Sequence, residues 1–211
     1  MRSSHFTRLI YRTALLFAFF SLLLTACSRE NPSVDPLDRQ AVVLAFGDSL
    51  TFGAGAEKDA SYPARLEALI GRRVINAGIS GELSGEGRSR LVELLDRHRP
   101  DLVILCHGGN DLLRRTGDEN AAANLKAMTA LARERGIDVV LLGVPRPGLV
   151  LSAPDFYRDI AEEFNIPYEG EILPDILGER SLKSDRFHPN AEGYGKLAEA
   201  VADLLRKARA L

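Results

Sequence analysis

From Gln40 onward, short apolar runs alternate with longer segments whose apolar residues recur every three or four positions. The short runs, at residues 41–46, 73–76, 101–106 and 138–144 and more weakly near 166–168, have the length and β-branched content of strands. The periodic segments predict helices over 62–70, 87–98, 120–135, 154–164 and 190–210. Gly71 and Gly136 stop two of these, and Pro100 follows a third. In the last, Asn190 stands at the N-cap, Glu192 falls in the first turn, and Leu197, Val201, Leu204 and Leu205 share one stripe. Strands that are apolar throughout and alternate with helices imply an α/β fold whose parallel sheet is covered on both faces. Five strands joined by right-handed crossovers favour a flavodoxin-like or Rossmann-like order.

The predicted strands end in unusual segments: Gly47-Asp48-Ser49-Leu50, Asn76-Ala77-Gly78, His107-Gly108-Gly109-Asn110-Asp111 and Pro145-Arg146-Pro147-Gly148. A parallel sheet gathers all of them on one edge, where open α/β folds bind their ligands. Far downstream, Asp185 and His188 lie three residues apart, close enough for their side chains to meet in one turn. Ser49 as nucleophile, His188 as base and Asp185 as the group that orients it would form a hydrolytic set. An oxyanion hole needs donors as well. The candidates are the N–H groups of Ser49 and Gly78 and the side-chain amide of Asn110. Each residue also has a plainer use: Ser49 or Asn110 as a helix cap, Gly78 as a turn residue, Asp185 as a cap beside a surface histidine. His107 reads most simply as a packed strand-end histidine. Thr51 fills the second glycine position of a Gly-x-Ser-x-Gly elbow, so that motif is absent. Gly53-Ala54-Gly55 lacks the third glycine of a dinucleotide fingerprint, no Gly-Lys-Ser/Thr marks a P-loop, and no His-x-x-x-His or cysteine pair offers a metal cage. Neither a cofactor nor a metal is expected.

Four blocks stand in order along the chain: Gly47-Asp48-Ser49-Leu50, Asn76-Ala77-Gly78-Ile79-Ser80-Gly81, Gly108-Gly109-Asn110-Asp111 and Asp185-Arg186-Phe187-His188-Pro189-Asn190. In that register the sequence resembles the SGNH (GDSL) hydrolase family, nearest to its bacterial thioesterase, lysophospholipase and arylesterase branch. The resemblance implies a three-layer α/β/α sandwich with a mostly parallel five-stranded sheet. It implies Ser49 as nucleophile, His188 as general base, Asp185 as its orienter, and Gly78 and Asn110 as oxyanion donors. The expected substrate is a small-molecule acyl ester or lipid: an arylester, a lysophospholipid-like ester or an acyl thioester. The alternatives are an O-acetylesterase of cell-envelope carbohydrate using the same residues, and a catalytically silent envelope-binding module on the same fold.

The first 26 residues differ from the rest. Arg2, Arg8 and Arg12 precede the apolar stretch 14–24, and small residues lead to Cys27. That order describes a secretory signal. Leu24-Thr25-Ala26-Cys27 resembles the lipobox of bacterial lipoproteins, which implies cleavage before Cys27, acylation of that residue, and a lipid-anchored protein on the periplasmic side of a bacterial membrane. An uncleaved membrane anchor or ordinary secretion is the alternative. Residues 27–39, polar and with two prolines, read as a tether to a domain spanning 40–211. Removing the signal takes away three arginines and no acid, so the net charge moves from −2 to −5. A mildly acidic body argues against nucleic acid as a partner. Only Cys106 remains beside Cys27, so a lipidated Cys27 leaves no internal disulfide.

Overall fold

The computed structural model describes Pro32–Leu211; the signal segment and Cys27 lie outside the described residues. Five strands form one sheet: β1 (Val42–Gly47), β2 (Arg73–Gly78), β3 (Leu102–Cys106), β4 (Asp138–Leu142) and β5 (Tyr168–Glu169). Their order is β2-β1-β3-β4-β5 and every pairing is parallel, which is the flavodoxin-like arrangement. Eight α-helices accompany the sheet among the described residues: α1 (Ser49–Phe52), α2 (Tyr62–Ile70), α3 (Ser84–His98), α4 (Gly109–Arg114), α5 (Asp118–Glu134), α6 (Asp155–Phe164), α7 (Ile172–Gly178) and α8 (Ala191–Lys207). Helices α2 and α8 pack together as one layer, while α3, α5 and α6 pack side by side as the other. The expected three-layer sandwich is therefore present. None of these helices is long and apolar enough to cross a membrane.

The central strands are apolar because both of their faces are covered. Val43 to Phe46 and Leu102 to Cys106 are buried without exception. Helix ends follow local chemistry. Gly71 and Gly136 adopt φ of 63° and 71°, and Arg99, at φ 44°, closes α3 one residue before Pro100. Asn190 caps α8 by accepting the Gly193 N–H at 3.0 Å. Helix α3 starts three residues earlier than the periodicity predicts, because the Ser84 N–H is satisfied from outside by Asp111 Oδ2 at 2.9 Å. Three buried tyrosines fasten the loops at the C-terminal edge of the sheet. Tyr157 donates to the His107 carbonyl (2.7 Å), Tyr194 to that of Ala54 (2.8 Å), and Tyr62 meets the Thr51 hydroxyl (3.3 Å).

The tether expected at residues 27–39 is not free along its whole length. Val34 and Leu37 are 4% and 6% exposed, and their N–H groups donate to the carbonyls of Ala208 and Ala210 at 3.0 and 2.9 Å. Two apolar residues among polar ones found a place against the end of α8, so the domain begins before Gln40.

Candidate active site

Strand β1 stops at Gly47, where a Cβ would fall 2.0 Å from the Cys106 carbonyl oxygen, so the chain can approach β3 only as glycine. The next turn is organised by Asp48, whose Oδ1 accepts the Leu50 N–H at 3.1 Å and caps α1. Ser49 thus stands on the first residue of a single helical turn, half-buried at the sheet edge. Among the described residues no acceptor meets its N–H. Among the described residues, Asp48 Oδ2 is buried without a hydrogen-bond partner. Burial pushes its carboxyl upward, against the nearby His107 and the Leu50 N–H.

Asp185 and His188 arrive from the loop before α8. His188 Nε2 lies 3.0 Å from Ser49 Oγ, and its Nδ1 lies 2.8 Å from Asp185 Oδ2. The other carboxylate oxygen of Asp185 accepts the N–H groups of Phe187 (2.7 Å) and His188 (2.9 Å), which folds the loop around the acid. Burial works to raise the Asp185 carboxyl, but the hydrogen bond from His188 and the two backbone donors outweigh it and hold it below its ordinary value. An ionised Asp185 keeps the proton on Nδ1 and leaves Nε2 free to accept from the serine.

Asn110, the second residue of α4, lies in the same cavity as Ser49 and His188. One hydrogen of its amide goes to the Glu82 carbonyl, with Nδ2 3.1 Å away. Gly78 is not brought to this group. It ends β2 with its N–H bonded to Asn76 Oδ1 at 3.0 Å, and a Cβ there would strike the Phe52 backbone at 2.1 Å. Its role is close packing of β2 against α1. Three residues later Gly81 turns the chain at φ 83°, and no acceptor among the described residues meets its N–H. The cavity holds about 170 Å³ and is lined by the apolar Leu113, Val144, Leu177 and Phe187 and by the basic Lys183 and Arg186. Among the described residues no three His, Cys, Asp or Glu side chains form a metal-holding group. His107 is fully buried and packed, as expected.

A parallel α/β/α sandwich with serine, histidine and aspartate hydrogen-bonded in series at its C-terminal edge has the form of a serine hydrolase. A profile described as the GDSL-like lipase/acylhydrolase family matches residues 45–196. The chain belongs to that family. It is 34% identical over 178 residues to an arylesterase of Vibrio mimicus, covering 78% of this chain and 88% of that protein. It is 30% identical over 211 residues to the thioesterase 1/protease 1/lysophospholipase L1 of Escherichia coli strain K12, covering 93% and 94%. The crystal structure of the psychrotrophic esterase EstA from Pseudoalteromonas sp., inhibited by monoethylphosphonate, superimposes with a TM-score of 0.71 at 25% identity, covering 80% of this chain and 98% of that one. With such relatives, the protein is a hydrolase acting on ester bonds.

Proposed function

We propose that the protein hydrolyses carboxylic esters and thioesters of small or lipid-like acyl groups through an acyl-Ser49 intermediate. The observation that carries this reading is the unbroken series Ser49 Oγ–His188 Nε2–His188 Nδ1–Asp185 Oδ2, at 3.0 and 2.8 Å. Ser49 attacks the carbonyl carbon while its proton passes to His188 Nε2. The carbonyl oxygen gains charge against the Ser49 N–H, the Gly81 N–H and the free amide hydrogen of Asn110. His188 then gives its proton to the departing alcohol or thiol. Water repeats the sequence on the acyl-enzyme, releasing the acid and restoring Ser49. The apolar walls suit an acyl chain; arylesters, lysophospholipid-like esters and acyl thioesters are the substrate classes that the named relatives support.

A fluorophosphonate probe tests the nucleophile. It should label the protein once, on a tryptic peptide containing Ser49, and abolish p-nitrophenyl ester hydrolysis in proportion. Labelling that survives Ser49→Ala, or a variant with normal kcat, would remove Ser49 from the mechanism.

The basic–apolar–small order ending in Leu24-Thr25-Ala26-Cys27 supports a mature chain that begins at a lipidated Cys27 and is held in the bacterial cell envelope. Intact-mass measurement of membrane-extracted protein tests this, and Cys27→Ser should move the protein to the soluble fraction with kcat unchanged. An unmodified Cys27 in the membrane-extracted chain is the contrary result.

A further inference from the structure

Two segments carry the donors other than Ser49 assigned to the oxyanion: the turn after β2, with the Gly81 N–H, and the start of α4, with the Asn110 amide. Glu82 joins them. Its carboxylate, in a residue only 7% exposed, accepts from Arg90 Nε at 2.8 Å and Nη2 at 2.7 Å, and lies 3.1 Å from His107 Nε2. Its backbone carbonyl accepts the Asn110 amide. The clamping partners are themselves fixed. Arg90 also donates to the Ala77 carbonyl at 3.0 Å and lies over the Phe46 ring, 4.4 Å from its centre. His107 accepts the Gly108 N–H on Nδ1 at 2.8 Å, which leaves its proton on Nε2, directed at Glu82. Helix α3 makes room for that ring with Gly87, where a Cβ would stand 2.4 Å from His107 Nε2. None of Glu82, Arg90 and His107 lines the cavity.

We propose that Glu82, clamped between Arg90 and His107, is a positioning residue for the Asn110 donor of the oxyanion hole. The side chain holds the Gly81–Glu82 turn at a fixed distance from α4. The carbonyl takes one of the two hydrogens of the Asn110 amide. Because the amide is planar, fixing one N–H direction fixes the other, so the remaining hydrogen is aimed before substrate arrives. Preorganised donors of this kind act on the transition state far more than on the bound ester. Asp111 adds a second tie between the same segments, accepting from the Ser84 hydroxyl at 2.7 Å as well as from its N–H. Glu82 differs from that tie in touching the donor itself.

The inference rests on Asn110 being an oxyanion donor, and the experiment separates the two. Steady-state kinetics on a p-nitrophenyl ester and melting temperatures are measured for Glu82→Gln, Asn110→Ala and the double variant. Asn110→Ala should lower kcat on the order of 10²–10³-fold. Glu82→Gln keeps the shape but turns an amide toward Arg90; it should lower kcat roughly 10- to 100-fold, with KM within about threefold. In the double variant, kcat should fall no more than about threefold below Asn110→Ala alone, because the second loss acts through the first. Any cost in melting temperature should persist in that background. A Glu82→Gln kcat within about threefold of the parent, or losses that multiply in full, overturns the positioning role while leaving Asn110 in place. A near-normal kcat for Asn110→Ala overturns the donor assignment and this inference with it. If Glu82→Gln does not fold, His107→Leu and His107→Gln carry the same test. Leucine removes the donor to Glu82 and should lose kcat, whereas glutamine can supply one and should restore it; equal kcat in the two variants is the contrary result.

Discussion

At the scale of single residues, the three side chains of the proposed mechanism are unequal. In it His188 is the base itself, whereas Asp185 acts on it from the far side of the ring, at 2.8 Å. His188→Ala should therefore depress kcat at least as far as Asp185→Ala, since removing the orienting acid leaves a base that is still present but poorly held. Single-turnover rates on one ester would check the order, and normal turnover in either variant would break the assignment. Ser49, Asp185 and His188 are readable in the sequence because these types have a joint use that none has alone. Gly78 and Gly81 are harder to tell apart. Both lie in Asn76-Ala77-Gly78-Ile79-Ser80-Gly81, and what separates them is backbone conformation: one ends a strand with its N–H already bonded, and the other turns at φ 83°. Glu82 carries no sequence mark at all. Its partners come from 8 and 25 residues away, and a lone glutamate after a glycine reads as a solvated loop residue.

At the scale of elements, the long helices and central strands follow from periodicity, with boundaries displaced by a few residues. The short helices α1, α4 and α7 do not, since four, six and seven residues are too few to display a helical period. A local cap by Asp48 starts α1, and a tertiary contact through Asp111 ties α4 to α3. Glu82 is the most charged of these ties, reaching α3 and the end of β3. Burial would raise its carboxyl, yet the hydrogen bonds from Arg90 and His107 bring it down to about 2. A carboxylate whose folded value lies below the unfolded value of about 4.3 stabilises the fold above that pH and loses the effect as pH falls toward 2. The stability gap between the parent and Glu82→Gln, on the order of 2–3 kcal/mol from this source, should therefore narrow steadily from about pH 5 and close only below about pH 2. Urea unfolding across that range measures it. A gap that stays constant with pH would mean that the clamp is not ionic.

At the scale of the whole molecule, the amino-terminal polar segment and the last turn of the chain form one structure. The composition of residues 27–39 suggests a linker, because prolines and polar residues outnumber Val34 and Leu37. Two isolated apolar residues give no period, so their burial could be found only from where the end of α8 stands. That end offers free carbonyls, and those of Ala208 and Ala210 accept the N–H groups of Val34 and Leu37. The N–H of Asp35, between them, donates to Asp138 Oδ2 at 2.7 Å, fastening the segment to the start of β4 as well. A free tether and a packed segment make opposite forecasts for Leu37→Ala. On a tether the change should stay within about 0.5 kcal/mol, as at other exposed sites. Packed at 6% exposure, it removes a buried side chain and leaves a partly open space, costing about 2 kcal/mol or more. The ester-hydrolysing site at the opposite edge of the sheet should keep its kcat. Urea denaturation and ester turnover on the same preparation decide between the two, and an unchanged unfolding midpoint would return the domain boundary to Gln40.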